Sequence, residues 1–264
     1  MKKISNSLRA AWIGLLACAL PCTSAATPIR VAVPPGPHAQ VMNVVAEQAR
    51  SQGLVIEVRI IADAESRNAA LARGRVDAVS GQDLPTLDAA VRRHGYRFVS
   101  VASTLSLPMA LYSNRLRRLD ELREGDLVVI PRDRAQAGRA LILLNNYGLL
   151  KLAEGTGLDA TPRDVVWGRR TLRIEQADVS VLMAARRRAA LVVAPAEVAV
   201  RAGLQPARDG LGLEDARSPY AHVLAVRRQD ADAVWLRTLV AAYHSSAVKS
   251  YILARFNDSV RRPW

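Results

Sequence analysis

The chain has 264 residues, half of them hydrophobic, and a formal net charge of +13. This length is enough to bury a sizeable core in one large domain or two smaller lobes. A basic chain can bind nucleic acid, but here the arginines are scattered and aromatic residues make up only 5% of the chain. Clustered charge and stacking surfaces are therefore missing, and nucleic acid is not an expected partner.

The first 26 residues are predicted to be an export signal. Lys2, Lys3 and Arg9 form a basic start, and the apolar run at residues 10–20 is too short to span a bilayer. Small residues follow up to Ala26. Cleavage there would remove three cations and no acid, which leaves a net charge of +10 on the mature protein.

Both cysteines of the chain, Cys18 and Cys22, lie inside this segment. If cleavage falls near Ala26, the mature protein has no disulfide and no cysteine metal site. The alternative is a lipobox, Leu-Leu-Ala-Cys, in which Cys18 becomes the acylated first residue. Both interpretations stay open, and both predict an exported protein in the periplasm, either soluble or anchored to the membrane through Cys18.

Strand and helix patterns alternate along the mature chain, which favours an α/β fold with helices on both faces of a mostly parallel sheet. Strands are predicted at residues 29–33, 55–61, 76–79, 98–102, 108–113, 127–130, 172–174, 191–194 and 223–226. Helices are predicted at residues 38–52, 68–71, 84–93, 119–122, 138–144 and 179–188, with one or two more within 232–256. Residues 151–170 are rich in loop-forming residues.

Two βα blocks, a late strand and C-terminal helices predict two lobes with a ligand cleft between them. The late strand would return to the first lobe. We therefore assign residues 27–108 and 221–264 to lobe 1 and residues 109–220 to lobe 2. The chain would cross between the lobes near residues 103–113 and again near 217–223.

The stretch from Ile130 to Asn145 carries the clearest candidate site. A strand ends at Pro131 and feeds a helix through a short turn, which is where α/β folds place ligands. The free N–H groups and the dipole of a helix start favour an anion. Arg139, about one turn into the helix, has the geometry to grip a carboxylate with two parallel hydrogen bonds. On spacing alone, a surface arginine is the alternative.

Catalytic patterns are absent from the sequence. The four histidines form no zinc-protease pattern, and the chain has neither a Gly-x-Ser-x-Gly elbow nor a phosphate-binding loop. An enzyme on this chain is therefore a remote option, and no cofactor or metal is expected. His222, just before the last strand, is more often a structural histidine in such a position.

A series of short motifs runs through the mature chain in a fixed order. They include Pro35-Gly36-Pro37-His38-Ala39, Asn68-x-Ala70-Leu71, Ile130-Pro131-x-Asp133, Gly138-Arg139-Ala140-Leu141, Gly155-x-Gly157-Leu158, Leu213-Glu214-Asp215 and Ser218-Pro219-Tyr220. Together they resemble the methionine-binding lipoproteins of ABC importers, the NlpA-type lipoproteins. The resemblance extends from about Ile29 to Trp264.

The resemblance implies a two-lobed periplasmic-binding-protein fold, each lobe being a mostly parallel sheet flanked by helices. It also implies delivery of a small amino-acid-like ligand to a membrane permease that works with a cytoplasmic ATPase. Arg139 falls on the arginine that grips the ligand carboxylate in this family. As an alternative, the same fold would serve as a ligand-binding or sensor module that is not coupled to transport.

The ligand pocket departs from the family pattern. Where the family commonly has Phe-Gln-His-x-Pro-Tyr, residues 81–86 are GQDLPT. Family aromatic residues are replaced by Ala64 and Leu105, and family asparagines by Pro195 and His222. Each lost ring removes about 150–250 Å² of potential contact area, so tight methionine binding in the usual pose is not expected.

Changed residues at the pocket suggest a different ligand of the same class. The family turn Asn-Asp-x-x-Asn before the arginine is RDRAQ here, at residues 132–136. Asp83 is a hypothetical partner for an ammonium group, and Arg132 and Arg134 for a second anionic group. The predicted ligand contacts are Asn68, Gln82, Asp83, Leu105, Arg132, Gln136, Arg139 and His222.

Overall fold

The computed structural model describes residues 27–166 and 170–264. The strands are β1 (Ile29–Val33), β2 (Ile56–Ile60), β3 (Ala78–Asp83), β4 (Phe98–Ser103), β5 (Ala110–Tyr112), β6 (Leu127–Pro131), β7 (Lys151–Leu152), β8 (Val165–Val166), β9 (Arg173–Ala177), β10 (Leu191–Ala194), β11 (Gly212–Leu213) and β12 (His222–Arg227). The helices are α1 (Pro37–Arg50), α2 (Ala64–Ala72), α3 (Leu84–His94), α4 (Arg134–Asn146), α5 (Val179–Leu182), α6 (Ala196–Arg201), α7 (Pro206–Asp209), α8 (Val234–Tyr243) and α9 (Ser246–Phe256). Short 3-10 turns cover Leu119–Glu121, Pro162–Asp164, Met183–Arg187 and Arg228–Asp230.

The first sheet has the strand order β2-β1-β3-β12-β4. Strands β1, β2 and β3 run parallel, and β12 runs antiparallel to β3 on one side and to β4 on the other. Four strands therefore share one direction, and β12 opposes them. The carboxyl ends of β1, β2 and β3 meet at one edge of the sheet, together with the start of β12.

The second sheet has the order β11-β5-β10-β6-β9. Strands β10, β6 and β9 are parallel, whereas β5 is antiparallel to both β10 and β11. Each of the two large sheets thus contains one reversed strand. The strand formed last in the chain, β12, belongs to the first sheet, so the polypeptide leaves lobe 1 and later returns to it.

Helices cover both faces of the first sheet because successive strand residues point to opposite faces. In β1, Val31 and Val33 pack with α1, α8 and α9, while Ala32 packs on the other side with Leu71 of α2 and Leu87 of α3. All of these strand residues are completely buried. The second sheet is enclosed in the same way, with α4 on one face and α5 and α6 on the other.

The two-sheet α/β architecture confirms the predicted fold class. The first helix, predicted at residues 38–52, is observed at Pro37–Arg50, and the segment 232–256 contains two helices, α8 and α9. The predicted helix at 179–188 is wrong in type, since it is a short α-helix followed by a 3-10 turn. Helices α6 and α7 were not predicted.

The predicted lobe boundaries at residues 108/109 and 220/221 stay a prediction, and the predicted export signal lies outside the described residues. Among the helices of the described residues, none combines the length and the apolar character needed to cross a membrane. Lobe 1 and lobe 2 below denote the parts of the chain built on the first and on the second sheet.

Candidate functional site

A cleft of about 670 Å³ lies beside the carboxyl-end edge of the first sheet. Its lining combines Asn68 and Gln82 from the first sheet and its helix α2 with Ala135 and Leu158 from the second-sheet part of the chain. Small-molecule sites usually occupy about 300–1,000 Å³ between such rigid units. The cleft is therefore the candidate ligand site.

Two buried amide side chains face each other at the floor of the cleft. Asn68 Nδ2 donates to Gln82 Oε1 at 3.1 Å, and Gln82 Nε2 donates back to Asn68 Oδ1 at 2.8 Å. Both residues are less than 5% exposed. The reciprocal pair leaves each amide one free N–H and one oxygen lone pair for a further polar partner.

Gly81, beside this pair, has a backbone conformation and a neighbour that leave no room for a larger side chain. Its φ is +98°, and a Cβ added there would lie 2.3 Å from Cδ of Pro34. This conformation favours glycine, and the ring of Pro34 fills the space a larger side chain would need. The next residue but one, Asp83, caps α3 by accepting a hydrogen bond from the Thr86 N–H at 2.8 Å. Asp83 is thus partly used by its own helix.

Arg139, which was predicted to bind the carboxylate group of a ligand, forms a buried ion pair with Glu214. Its Nε lies 3.0 Å and 3.1 Å from the two Glu214 oxygens, and its Nη2 also contacts Glu214 Oε2. The side chains of both residues are only 6% exposed. One edge of the guanidinium is therefore already occupied, and its charge is balanced within the protein.

This ion pair joins α4 to both places where the chain passes between the sheets. Arg139 Nη2 donates to the Leu107 carbonyl at 3.0 Å, and Glu214 accepts from the Met109 N–H at 3.2 Å. The guanidinium also lies over the Tyr220 ring, 4.8 Å from its centroid. Burial raises the pKa of the Tyr220 hydroxyl to about 12. Arg139 is consequently a structural anchor of the crossing segments.

The start of helix α4 differs from the predicted anion site. The helix begins at Arg134, four residues earlier than predicted, and Asp133 caps it by accepting from the Gln136 N–H at 3.0 Å. The Asp133 carboxylate satisfies one of the N–H groups of this helix start, and the predicted anion site stays a prediction. Arg132 is exposed and its Nε lies 3.5 Å from Asp178.

Gln136 has a polar atom available on the lobe-2 side. Its Oε1 is buried and has no hydrogen-bond partner among the described residues. Its neighbour Ala135 lines the cleft, whereas Gln136 itself is not among the lining residues. Leu105, in contrast, is completely buried in the core of lobe 1, and its position gives no support to a ligand contact.

His222 is paired with His38. The two ring nitrogens Nδ1 of His222 and Nε2 of His38 lie 2.8 Å apart, and the rings are nearly parallel. Burial lowers the pKa of His222 to about 4, against the opposing influence of Asp83, and burial together with His222 places the pKa of His38 well below its usual value. Both imidazoles are therefore neutral at pH 7, and the ring N–H of one donates a hydrogen bond to the ring nitrogen of the other.

The sequence interpretation missed three residues that shape this region. Glu214 and His38 belonged to quoted motifs, but no spacing rule connects them to their partners, which lie 75 and 184 residues away. Arg67 is 2% exposed and donates to the carbonyls of Ile61, Ala62 and Gly81. In an arginine-rich chain, nothing in the sequence distinguishes this buried arginine from exposed ones.

Within residues 27–166 and 170–264, no group of three or more histidine, cysteine or acidic side chains lies close enough together to hold a metal ion. Such a group is the minimum for most protein metal sites. The site consists instead of amides, a neutral histidine pair and an internally balanced arginine, which suits binding of a small polar molecule.

The chain is similar to proteins of one kind across most of its length. It is 36% identical over 239 residues to the D-methionine-binding lipoprotein MetQ of Salmonella typhimurium, covering 89% of this chain and 88% of that protein. A periplasmic substrate-binding protein of an ABC transporter from Coxiella burnetii superposes with a TM-score of 0.75 at 36% identity, covering 89% and 99% of the two chains.

A nutrient-binding protein from Burkholderia cenocepacia, solved bound to methionine, superposes with a TM-score of 0.74 at 35% identity and covers 89% of this chain and 100% of its own. These relatives are substrate-binding proteins and not enzymes, as predicted. The sequence profile of the NlpA lipoproteins matches residues 29–264. The chain therefore belongs to the NlpA lipoprotein family.

Proposed function

We propose that the protein is the extracytoplasmic solute-binding component of an ABC importer and binds a small carboxylate-bearing ligand of the amino-acid class. The observation that carries the proposal is the cleft lined by residues from both sheets, with buried amides at its floor. Closure of two lobes around a ligand is the usual way such a cleft excludes water and changes the surface offered to a partner.

The polar groups of the cleft define how the ligand would be held. Asn68 and Gln82 offer further hydrogen-bonding capacity on the lobe-1 side of the cleft. On the lobe-2 side, Gln136 has an unpartnered oxygen and is the neighbour of the lining residue Ala135. On Arg139, the Nη1 group has no acceptor among the described residues, so a ligand carboxylate would meet this remaining edge rather than a free guanidinium.

Ligand identity is the finer part of the proposal. Of the relatives named above, the Salmonella typhimurium protein is a D-methionine-binding lipoprotein and the Burkholderia cenocepacia protein was solved bound to methionine. This chain, however, has Ala64 and Gly81 at positions where the family commonly has aromatic residues. Loss of ring contacts reduces the apolar area available to a thioether side chain. We therefore propose an amino-acid ligand, with methionine as the first compound to test and smaller or more polar amino acids as its competitors.

The test is ligand-induced stabilisation across a panel of D- and L-amino acids. A ligand at 100 times its dissociation constant adds about 2.7 kcal/mol to the unfolding free energy, which for a protein of this size corresponds to a shift of roughly 5–10 °C in Tm. The cleft is tested with Ala135→Trp, which places a bulky ring at an exposed lining residue. Ala202→Trp, at an exposed position outside the cleft lining, is the matched control.

We expect one or more panel members to raise the Tm of the wild type and of Ala202→Trp but not of Ala135→Trp. A shift that survives in Ala135→Trp would place the ligand elsewhere and refute the assignment of the cleft. Absence of a shift with every amino acid would refute the ligand class. Coupling to transport is tested separately, by asking whether the ligand-loaded protein stimulates ATP hydrolysis by its cognate permease–ATPase complex.

A further inference from the structure

Helix α3 forms one wall of the cleft over almost its whole length. Pro85, Ala89 and Arg93 all line the cleft, and they follow one another at intervals of four residues, so they share one face of the helix. With a rise of 1.5 Å per residue, the first and the last are about 12 Å apart along the helix axis. Gln82 lies just before the start of α3, so a ligand held at the pair of amides has room to extend along this wall.

Apolar side chains from both lobes also line the cleft. Leu84 of lobe 1 is 43% exposed, and Leu158 of lobe 2 is 41% exposed. Ala64 adds a small side chain at a position where the family commonly has an aromatic residue. Exposed leucines on the walls of a cleft are stabilised when an apolar part of a ligand covers them. These walls therefore suit a ligand that contains methylene groups.

The end of α3 brings two arginines into the lining. Arg92 and Arg93 are exposed, and neither forms an ion pair with a residue that the structure describes. Next to them, His94 Nε2 lies 3.3 Å from Glu65 Oε1, and this contact connects the end of α3 to the start of α2. Guanidinium groups bind carboxylates and phosphates through parallel N–H groups, so this part of the lining suits an anionic group.

Four carboxylates also line the cleft, and two of them already have partners within the protein. Asp63 caps the start of α2, and Glu65 contacts His94. Asp88 and Asp159 form no ion pair with any of the described residues. The unpaired groups are therefore two arginines and two carboxylates. An amino acid with its ammonium group and an additional anionic group complements this set better than an amino acid with an uncharged side chain.

We propose that the ligand is an amino acid whose side chain carries a second anionic group, a carboxylate or a phosphate, which Arg92 and Arg93 bind at the end of α3. The amino-acid group lies at the amides of Asn68 and Gln82, and the methylene groups between the two ends cover the exposed leucines. The inference rests on the proposed function, because it adds a second subsite to the same cleft. Arg92 and Arg93 are then the residues that determine ligand specificity.

The expected size of the effect follows from the exposure of the two arginines. An ion pair at an exposed position strengthens an association by up to about fivefold. Two such contacts together should therefore favour an anionic side chain over an uncharged side chain of the same length by roughly tenfold. Because exposed charges are screened by salt, this preference should become smaller as the ionic strength rises.

The experiment measures dissociation constants by isothermal titration calorimetry for three amino acids with straight side chains of matched length. The probe 2-aminosuberate ends in a carboxylate, 2-amino-7-phosphonoheptanoate ends in a phosphonate, and 2-aminooctanoate ends in a methyl group. Aspartate is the short control, because its second carboxylate is too close to its amino-acid group to reach the end of α3. The carboxylate and phosphonate probes distinguish the two kinds of anionic group.

Two variants of the full chain are compared with the wild type. The cleft variant carries Arg92→Gln and Arg93→Gln, and the control variant carries Arg50→Gln and Arg73→Gln. Arg50 in the last turn of α1 and Arg73 at the end of α2 are exposed, lie outside the cleft lining and form no ion pair with a described residue. Both variants lose two charges at helix ends of lobe 1, so the effect of net charge is the same in each. Thermal unfolding without ligand checks that both are folded.

We expect at least one of the two anionic probes to bind the wild type and the control variant about tenfold more tightly than 2-aminooctanoate. In the cleft variant this preference should be lost, while the affinity for 2-aminooctanoate stays the same. A stronger preference for the phosphonate would identify a phosphorylated amino acid as the ligand class, and a stronger preference for the carboxylate would identify a dicarboxylic amino acid.

Three outcomes would overturn the second subsite and leave the proposed amino-acid ligand standing. They are equal affinities of the three long probes for the wild type, a preference that survives in the cleft variant, and binding of aspartate or methionine without binding of any long probe. Equal losses in the cleft and control variants would also overturn it, because net charge would then explain the preference. Failure of every amino acid to bind the wild type would overturn the proposed function together with this inference.

Discussion

Replacing Glu214 by leucine tests whether the ion pair between Arg139 and Glu214 stabilises the ligand-free protein. The side chains of both residues are 6% exposed, and Glu214 accepts from Arg139 Nε at 3.0 Å and from the Met109 N–H at 3.2 Å. Removing one partner of a buried pair leaves an uncompensated charge and costs about 3–5 kcal/mol of stability. For a protein of this size, Tm should fall by roughly 6–20 °C.

The assay is unfolding of the ligand-free protein by urea and by heat. Asp215→Asn is the matched control, because Asp215 is the next residue, pairs with Arg217 at 3.3 Å and has a side chain that is 63% exposed. An exposed pair is worth about 0–1 kcal/mol, so this variant should unfold close to the wild type. A Glu214→Leu variant within 1 kcal/mol of the wild type would refute the anchor role.

The double variant Arg139→Met with Glu214→Leu separates stability from binding. Replacement of a whole buried ion pair by apolar residues is often neutral or stabilising, so the double variant should recover most of the lost stability. If Arg139 also contacts the ligand carboxylate, the double variant stays folded but loses ligand-induced stabilisation. Retained stabilisation would show that the ligand does not need the guanidinium.

Three further predictions concern the floor of the cleft and the histidine pair. Gln82→Leu leaves the buried Asn68 amide without its partner and should cost about 1–3 kcal/mol in urea unfolding; a change below 0.5 kcal/mol, on the order of a surface substitution, would contradict this. Gly81→Ala should lower Tm because φ is +98° and the new Cβ meets the neighbouring proline ring; an unchanged Tm would show that the backbone relaxes freely. Below pH 6.5 the histidines of the unfolded chain take up protons, whereas the buried His222 and His38 stay neutral. The free energy of unfolding should therefore decrease as the pH falls from 6.5 towards about 4, the pKa of His222 in the folded protein. His222→Asn should reduce that slope between pH 6.5 and 5, and an identical slope in variant and wild type would refute the link.

Local patterns were sufficient to predict most elements of the fold. Strand β1 and helix α1 follow directly from residues 29–33 and from the spacing of Val41 and Val45, which face the core. The reversal of β12 and β5 was not predictable in the same way. A strand's direction depends on how the chain returns to the sheet, which a period-two pattern does not encode.

The site was harder to predict because its contacts are distant in sequence. Arg139 was predicted to contact the ligand carboxylate, which stays a prediction, and its observed pairing with Glu214 depends on a segment 75 residues away. The start of α4 was predicted too late because the polar residues after Asp133 interrupt the apolar pattern, although Asp133 itself is a favourable N-cap. The ligand-contact roles predicted for Asn68 and Gln82 remain predictions, now joined by their observed mutual hydrogen bonds.

The position of β12 has a consequence for the order in which the chain assembles. Strands β3 and β4 both form hydrogen bonds with β12 and none with each other in the sheet order, so each lacks a neighbour until residues 222–227 have been synthesised. The second sheet is complete by Leu213, before β12 emerges. In a chain that emerges N-terminus first, lobe 2 is thus able to complete its sheet while lobe 1 still exposes unpaired strand edges, and such edges are prone to aggregation.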